Sequence, residues 1–154
     1  MISRYIAIIY IGILFLGGCA SILPSFENVS YNKNLLDLRD ERAFKLTKRF
    51  LEYWHARAQG DYEKSWQYEL PYQRYFLSFE KYRSLASGYK GSVIELKKID
   101  FIAPDEAIVE RKVFFSDKKG VVKKDKWYEI DGKWYHKFYQ SILPPESFEE
   151  AEFQ

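Results

Sequence analysis

Residues Trp127–His136 read WYEIDGKWYH. Asp131-Gly132 is a tight-turn dipeptide, and aromatic and polar residues alternate on both sides of it, so the stretch predicts a β-hairpin. A two-residue turn there pairs Ile130 with Lys133, Glu129 with Trp134, and Trp127 with His136. Directly opposed residues share a face of the sheet. Asp125, Trp127, Glu129, Trp134, His136 and Phe138 therefore point one way, and Tyr128, Ile130, Tyr135 and Tyr139 the other.

The same extended period runs back to Gly91. Four strands are predicted, over Ser92–Ile102, Ala107–Ser116, Val121–Ile130 and Lys133–Ser141, with turns at Pro104-Asp105, Lys119-Gly120 and Asp131-Gly132. Taking Lys118-Lys119-Gly120 as a three-residue loop pairs Arg111 with Trp127 and Val113 with Asp125. Val109, Arg111, Val113 and Phe115 then join the Trp127 face. A four-residue loop flips that strand and brings Ile108, Glu110, Lys112 and Phe114 there instead, a more charged set, so the first register is preferred.

Before Gly91 the period is helical. Ala43, Thr47, Phe50, Trp54 and Ala58 recur at spacings of three and four, widened by Phe44 and Leu51, and predict a long helix over Asn34–Gln59. Gly60 ends it. Asp61 caps a second helix through Glu69, stopped by Pro71, and Ser78 caps a third over Phe79–Ala86. Helices followed by an antiparallel meander give an α+β class, with N-terminal helices packed on a curved four-stranded antiparallel sheet.

The runs FLEYWHARAQGDYEKSW, SFEKYRSL and DKWYEIDGKWYH resemble the NTF2-like (nuclear transport factor 2-like) superfamily, in particular its small bacterial lipoprotein members. The resemblance covers about residues 35–143. It implies a cystatin/NTF2-like cone in which the sheet wraps the long helix and leaves an open mouth. Members include ketosteroid-isomerase-like and dehydratase-like enzymes and many binding or assembly modules, so the fold does not give the function. The isomerase-like trio of an acid, a tyrosine and a protonated acid has no matching positions here. The dehydratase-like set needs two histidines, and His55 and His136 are the only ones.

The chain opens with Arg4, an apolar run from Ile6 to Leu16, and then Leu16-Gly17-Gly18-Cys19, where Cys19 is the sole cysteine. The apolar run is too short to span a bilayer as a helix and reads as an export signal. Its end looks like the lipobox of bacterial lipoproteins: Gly17 and Gly18 are small enough for the signal peptidase, and the Cys19 thiol becomes a thioether to diacylglycerol. That implies cleavage before Cys19, a palmitate-type acyl anchor, and a place in the bacterial cell envelope. Ala20 stands where an aspartate would resemble an inner-membrane retention signal, which points to the outer membrane facing the periplasm. The chain thus divides into a signal peptide (1–18), a lipid-anchored tether (19–33), the NTF2-like domain (34–143) and an acidic C-terminal tail (144–154) that carries Phe148 and Phe153.

With Cys19 acylated no thiol remains for a disulfide, so the core alone must hold the fold. Aromatic residues, 19% of the chain, supply large side chains for it. The formal charge is only +2, and Arg4 is lost with the signal, which argues against a nucleic-acid binder. No metal-ligand spacing, phosphate loop or nucleophile elbow is present, and no cofactor is implied.

Four polar residues intrude on the apolar concave face around Trp127: Arg111, Asp125, Glu129 and His136, with Trp134 beside them. Buried charges must be paired, and two readings follow. In one, Arg111 bridges a carboxylate and His136 bonds another, steadying the sheet. In the other they line a pocket where Arg111 fixes an anion and Glu129 or His136 moves a proton. Lys97, Lys98, Lys118, Lys119, Lys123, Lys124 and Lys126 read either as a solvated sheet edge or as attraction to anionic headgroups or an acidic partner. Besides the membrane, candidate partners are an envelope protein or a second copy, through the outer face bearing Tyr128, Tyr135 and Tyr139. The function expected is a small-ligand-binding or protein-assembly module, with a lyase or isomerase working in the cone as the alternative.

Overall fold

The computed structural model describes residues 22–34, 36–116 and 119–138. Leu16, Gly17, Gly18, Cys19, Tyr139 and the acidic tail lie outside them. In chain order the elements are β1 (Val29–Tyr31), α1 (Glu41–Gln59), α2 (Tyr62–Trp66), α3 (Pro71–Phe76), α4 (Phe79–Ala86), a 3-10 turn (Ser87–Tyr89), β2 (Val93–Ala103), β3 (Glu106–Phe114), β4 (Gly120–Ile130) and β5 (Lys133–His136). The class is α+β, as the periodicity requires.

The sheet differs from the expected four antiparallel strands. It has five, in the order β1-β2-β3-β4-β5, and β1 runs parallel to β2. The extra strand comes from the segment read as tether. Val29 is buried, Asn28 accepts from the Ile94 amide at 2.9 Å, and Phe26 stacks on His55 with ring centroids 3.9 Å apart. This strand covers the edge of β2 that faces away from β3. Its parallel sense follows from a connection that runs through all four helices. Pairing irregularities in β2, between Leu96 and Lys98 and between Phe101 and Ala103, bend that strand as the sheet curls.

Helix α1 begins at Glu41, later than the expected Asn34. Asp40 is extended and its side chain accepts from the Arg42 amide at 2.8 Å, while Asp37 and Arg39 close a preceding turn. At the other end Gly60, with φ of 80°, provides the left-handed cap. The second helix ends at Trp66, short of Glu69. Pro71 does more than stop it, since it opens α3, where the missing amide of proline is tolerated in the first turn. Ser78 caps α4 as expected, accepting from the Lys81 amide at 3.2 Å.

The Asp131-Gly132 hairpin has the predicted register, with Trp127 opposite His136 and Glu129 opposite Trp134. Asp131 and Gly132 have φ of 50° and 73°, the positive values that a two-residue hairpin turn needs. The β3–β4 register is not the expected one. Arg111 faces Lys123, Val109 faces Asp125 and Ala107 faces Trp127, because the loop is longer than three residues and pairing starts at Phe114 with Gly120. The displacement is by an even number of residues, so the side chains keep their face. Val109, Arg111 and Val113 are buried together with Asp125 and Trp127.

Helix α1 fills the concave side. Its Leu46, Phe50, Leu51, Tyr53 and Trp54 form one core with Ile94, Leu96, Val109, Trp127 and Trp134. Tyr82 and Ala86 make a smaller cluster with Phe138, flanked by Trp66 and Phe79. Each large aromatic removed from water contributes several kcal/mol at ~25 cal/mol per Å² of apolar area, which lets one core suffice.

Candidate functional site

Between those two clusters lies a chain of buried polar groups. From α1, Tyr53 donates to Glu69 Oε1 at 2.7 Å, and Arg57 Nη1 donates to the Tyr53 hydroxyl at 2.7 Å. Glu69 Oε2 meets His136 Nδ1 at 2.8 Å. His136 Nε2 faces Asp125 Oδ1 at 3.9 Å, beyond hydrogen-bond reach but within electrostatic range. Arg111 Nε donates to Asp125 Oδ2 at 2.7 Å, and Arg111 Nη2 reaches the Tyr89 hydroxyl at 3.3 Å. Arg57, Glu69, Arg111, Asp125 and His136 are each at most 3% exposed.

The backbone explains why these groups meet. The segment Tyr68–Leu70 lies alongside β5: the His136 amide donates to the Tyr68 carbonyl at 2.7 Å, and the Leu70 amide to the His136 carbonyl at 3.0 Å. That bridge delivers Glu69 to His136 across the open end of the hairpin. Stacking of Tyr53 on the imidazole, with centroids 4.5 Å apart, fixes the ring plane. Among the described residues Arg57 has no carboxylate within hydrogen-bond reach. It is enclosed by the rings of Trp54, Tyr89 and Phe138 and donates Nη2 to the Ala86 carbonyl at 3.1 Å. Arg111 lies over Trp54 with its guanidinium carbon 3.9 Å from the ring centroid.

These surroundings set the ionisation states. Burial pushes the Asp125 carboxyl up, but the Arg111 charge and His136 outweigh it and hold it down at about 2. Burial alone would lower the His136 pKa. Glu69 and Asp125 on its two sides reverse that, and it lies above its ordinary value. The Tyr53 hydroxyl is driven well up, by burial first. Burial works against the Arg57 charge, yet Tyr53, Tyr82 and Glu69 together raise its pKa. The arrangement therefore favours a cationic imidazole beside an ionised Asp125, with one guanidinium bound to Asp125 and another held in an aromatic cage.

Of the residues singled out from sequence, Arg111, Asp125 and His136 stand together in this network, and Trp127 packs on His136 at 5.2 Å between centroids. Trp134 is buried against Phe101, at 5.8 Å. Glu129 is elsewhere: it is only partly buried, lies near Lys45, and its amide donates to the Asp105 carbonyl at 2.7 Å. The carboxylate beside His136 is Glu69, which sequence reasoning missed. Its signal was an acid set between Tyr68 and Leu70-Pro71, where a solvated residue has no apolar reason to be. Tyr53 and Arg57 were also missed, although both lie on the buried face of α1. His55 takes part in the β1 edge, with Nδ1 2.7 Å from Asn28 Oδ1.

A cavity of about 180 Å³ adjoins the network, lined by Trp54, Arg57, Tyr89, Arg111, Lys123, Lys124, Asp125, His136 and Phe138. Its floor is buried, and exposed Lys123, opposite Arg111, stands at the mouth, while exposed Lys124 lies opposite Glu110. Of the other lysines singled out from sequence, Lys97 pairs with Glu95 at 3.1 Å, Lys98 with Asp100 at 2.6 Å and Lys126 with Glu106 at 3.3 Å, while Lys118 lies outside the described residues. Among the described residues no group of three or more metal-ligating side chains is placed to hold an ion, and no helix is long and apolar enough to cross a membrane.

No family model matches the chain, and no curated relative matches it. Among solved structures it is similar to a Campylobacter jejuni protein provisionally designated an NTF2-like transpeptidase, at 15% identity and a TM-score of 0.45, covering 64% of this chain and 96% of that one. A SEC-C motif protein from Psychrobacter arcticus aligns at 15% identity and a TM-score of 0.46, over 65% of this chain and 62% of its own. A SEC-C motif protein from Rhodopseudomonas palustris aligns at 12% identity and a TM-score of 0.47, over 60% and 74%.

Proposed function

We propose that this chain is a lipid-anchored NTF2-like domain of the bacterial cell envelope, held at the outer membrane through Cys19 and facing the periplasm, and that it binds a small ligand. The observation that carries the binding role is the cavity of about 180 Å³ between Trp54, Arg111 and Phe138. Ligand sites for drug-sized molecules run to roughly 300–1,000 Å³, so the occupant is smaller than these. The network behind the cavity suits binding better than turnover. Asp125 is bonded to Arg111 with its pKa held at about 2, which makes it a weak base, and Glu69 accepts from Tyr53 and His136. The outer sheet face, with Tyr128, Ile130 and Tyr135, is left for an envelope partner or a second copy.

Two measurements test this. Cys19→Ser is expected to move the chain from the detergent phase to the aqueous phase in phase partitioning; unchanged partitioning refutes the anchor. Lys123→Trp places a ring across the cavity mouth. Native mass spectrometry of the chain purified without denaturation is expected to show a small molecule retained by the wild type and lost from this variant. Equal retention, or none, refutes the binding role.

A second reading, a lyase or isomerase, is favoured by one feature: His136 lines the cavity and has Glu69 behind its other ring nitrogen, the geometry that orients a general acid or base. Turnover of small hydroxy acids that disappears in His136→Gln would establish it.

A further inference from the structure

We infer that the cavity is a site for a small oxyanion, a carboxylate or a tetrahedral phosphate or sulfate group, held between Arg111 at the floor and Lys123 at the mouth. The inference rests on the binding role proposed above and specifies its ligand, but it does not depend on the lipid anchor. Charge balance carries it. The lining contains Arg57, Arg111, Lys123 and Lys124 against one carboxylate, Asp125, and that carboxylate is already bonded to Arg111 Nε at 2.7 Å. The other buried acid, Glu69, is taken up by Tyr53 and His136. Among the described residues Arg57 has only a hydroxyl and a backbone carbonyl as hydrogen-bond acceptors, Lys123 has no ion pair, and Lys124 reaches Glu110 only at 4.0 Å. The two buried guanidiniums share that one lining carboxylate, and a buried charge left without a counter-charge is costly unless an anion joins it.

The donors are also incomplete. Arg111 Nη1 and Arg57 Nε are buried without a hydrogen-bond partner among the described residues, and a guanidinium is built for planar, two-pronged recognition of oxyanions. Trp54 and Phe138 add apolar walls, which suit a short carbon skeleton attached to the anionic group. Size sets the upper limit: about 180 Å³ admits a small acid and excludes a polycyclic one.

The test is isothermal titration of the whole chain, purified from membranes in neutral detergent, with sodium phosphate, sodium sulfate and sodium acetate at ionic strength held constant by sodium chloride. Phenol serves as a neutral probe of similar bulk. At least one oxyanion is expected to saturate, and the responsive class distinguishes a carboxylate site from a tetrahedral one. Lys123→Gln/Lys124→Gln, at exposed positions, is expected to weaken that binding by roughly fivefold. Lys97→Gln/Lys98→Gln, the same change of charge on β2 away from the cavity, should leave it unaltered. Saturation by no oxyanion, or equal weakening by the two lysine pairs, overturns the inference. Binding of phenol without any oxyanion overturns it while sparing the small-ligand role, and binding of neither overturns both.

Discussion

Replacing Asp125 with Asn removes one charge from an enclosed ion pair while preserving the side-chain shape. Arg111 Nε donates to Asp125 at 2.7 Å, and both side chains are 4% exposed. With charge centres ~4 Å apart and an effective dielectric of ~20, the attraction is about 4 kcal/mol. Removing one partner from a buried pair costs about 3–5 kcal/mol, because the other charge stays behind without compensation. Asparagine can still accept from Nε, and the stacking of Arg111 on Trp54 and its bond to the Tyr89 hydroxyl survive, so the lower end, about 3 kcal/mol, is expected. Urea unfolding followed by tryptophan fluorescence should show the midpoint falling by roughly 1–3 M, given slopes of about 1–3 kcal/mol per molar for small domains. The double variant Arg111→Met/Asp125→Leu removes both charges at similar volume and should recover much of the loss. The reasoning is refuted if Asp125→Asn unfolds within about 0.3 M of the wild type. It is refuted equally if the double variant is less stable than Asp125→Asn alone.

The same residues set the pH response. The folded Asp125 pKa of about 2 lies below the ordinary 3.8, so its contribution is complete above pH 3.8 and disappears as pH falls toward 2. Urea midpoints measured against pH should show this acid limb, flattened in Asp125→Asn. His136 acts in the opposite sense: its raised pKa gives stability that is full below 6.5 and lost as pH rises through the folded value, a slope that His136→Gln should remove. Tyr53→Phe deletes the hydroxyl shared by Glu69 and Arg57, at 2.7 Å each, and should cost about 1–3 kcal/mol in the same unfolding assay. Tyr75→Phe, at an exposed position, should change stability by less than about 0.5 kcal/mol.

Sequence alone was enough for the elements whose causes are local. The Asp131-Gly132 turn needs two residues of positive φ, and with no loop to adjust, it aligns Trp127 with His136 directly. The buried stripe of α1 and the caps at Asp61 and Ser78 follow from spacing and side-chain chemistry within a few residues. Facing in the β3–β4 hairpin was also legible, because the alternation of Val109, Arg111 and Val113 survives an even change of register. The register itself was not, since a longer loop leaves several pairings with the same alternation.

Tertiary structure alone decided what depends on distant segments. β1 is three residues long, too short for a period to show, and it exists because β2 offers it an edge on which Val29 is buried and Phe26 partly buried. Glu69 meets His136 only because the chain after α2 lies against β5, a contact between residues 67 apart in sequence. For that reason the candidate acids read from sequence were Asp125 and Glu129, whereas folding supplied Glu69 as the one bonded to His136. Which charges neutralise one another, and which remain to face a cavity, depends on three-dimensional distances between segments that sequence neighbours do not constrain.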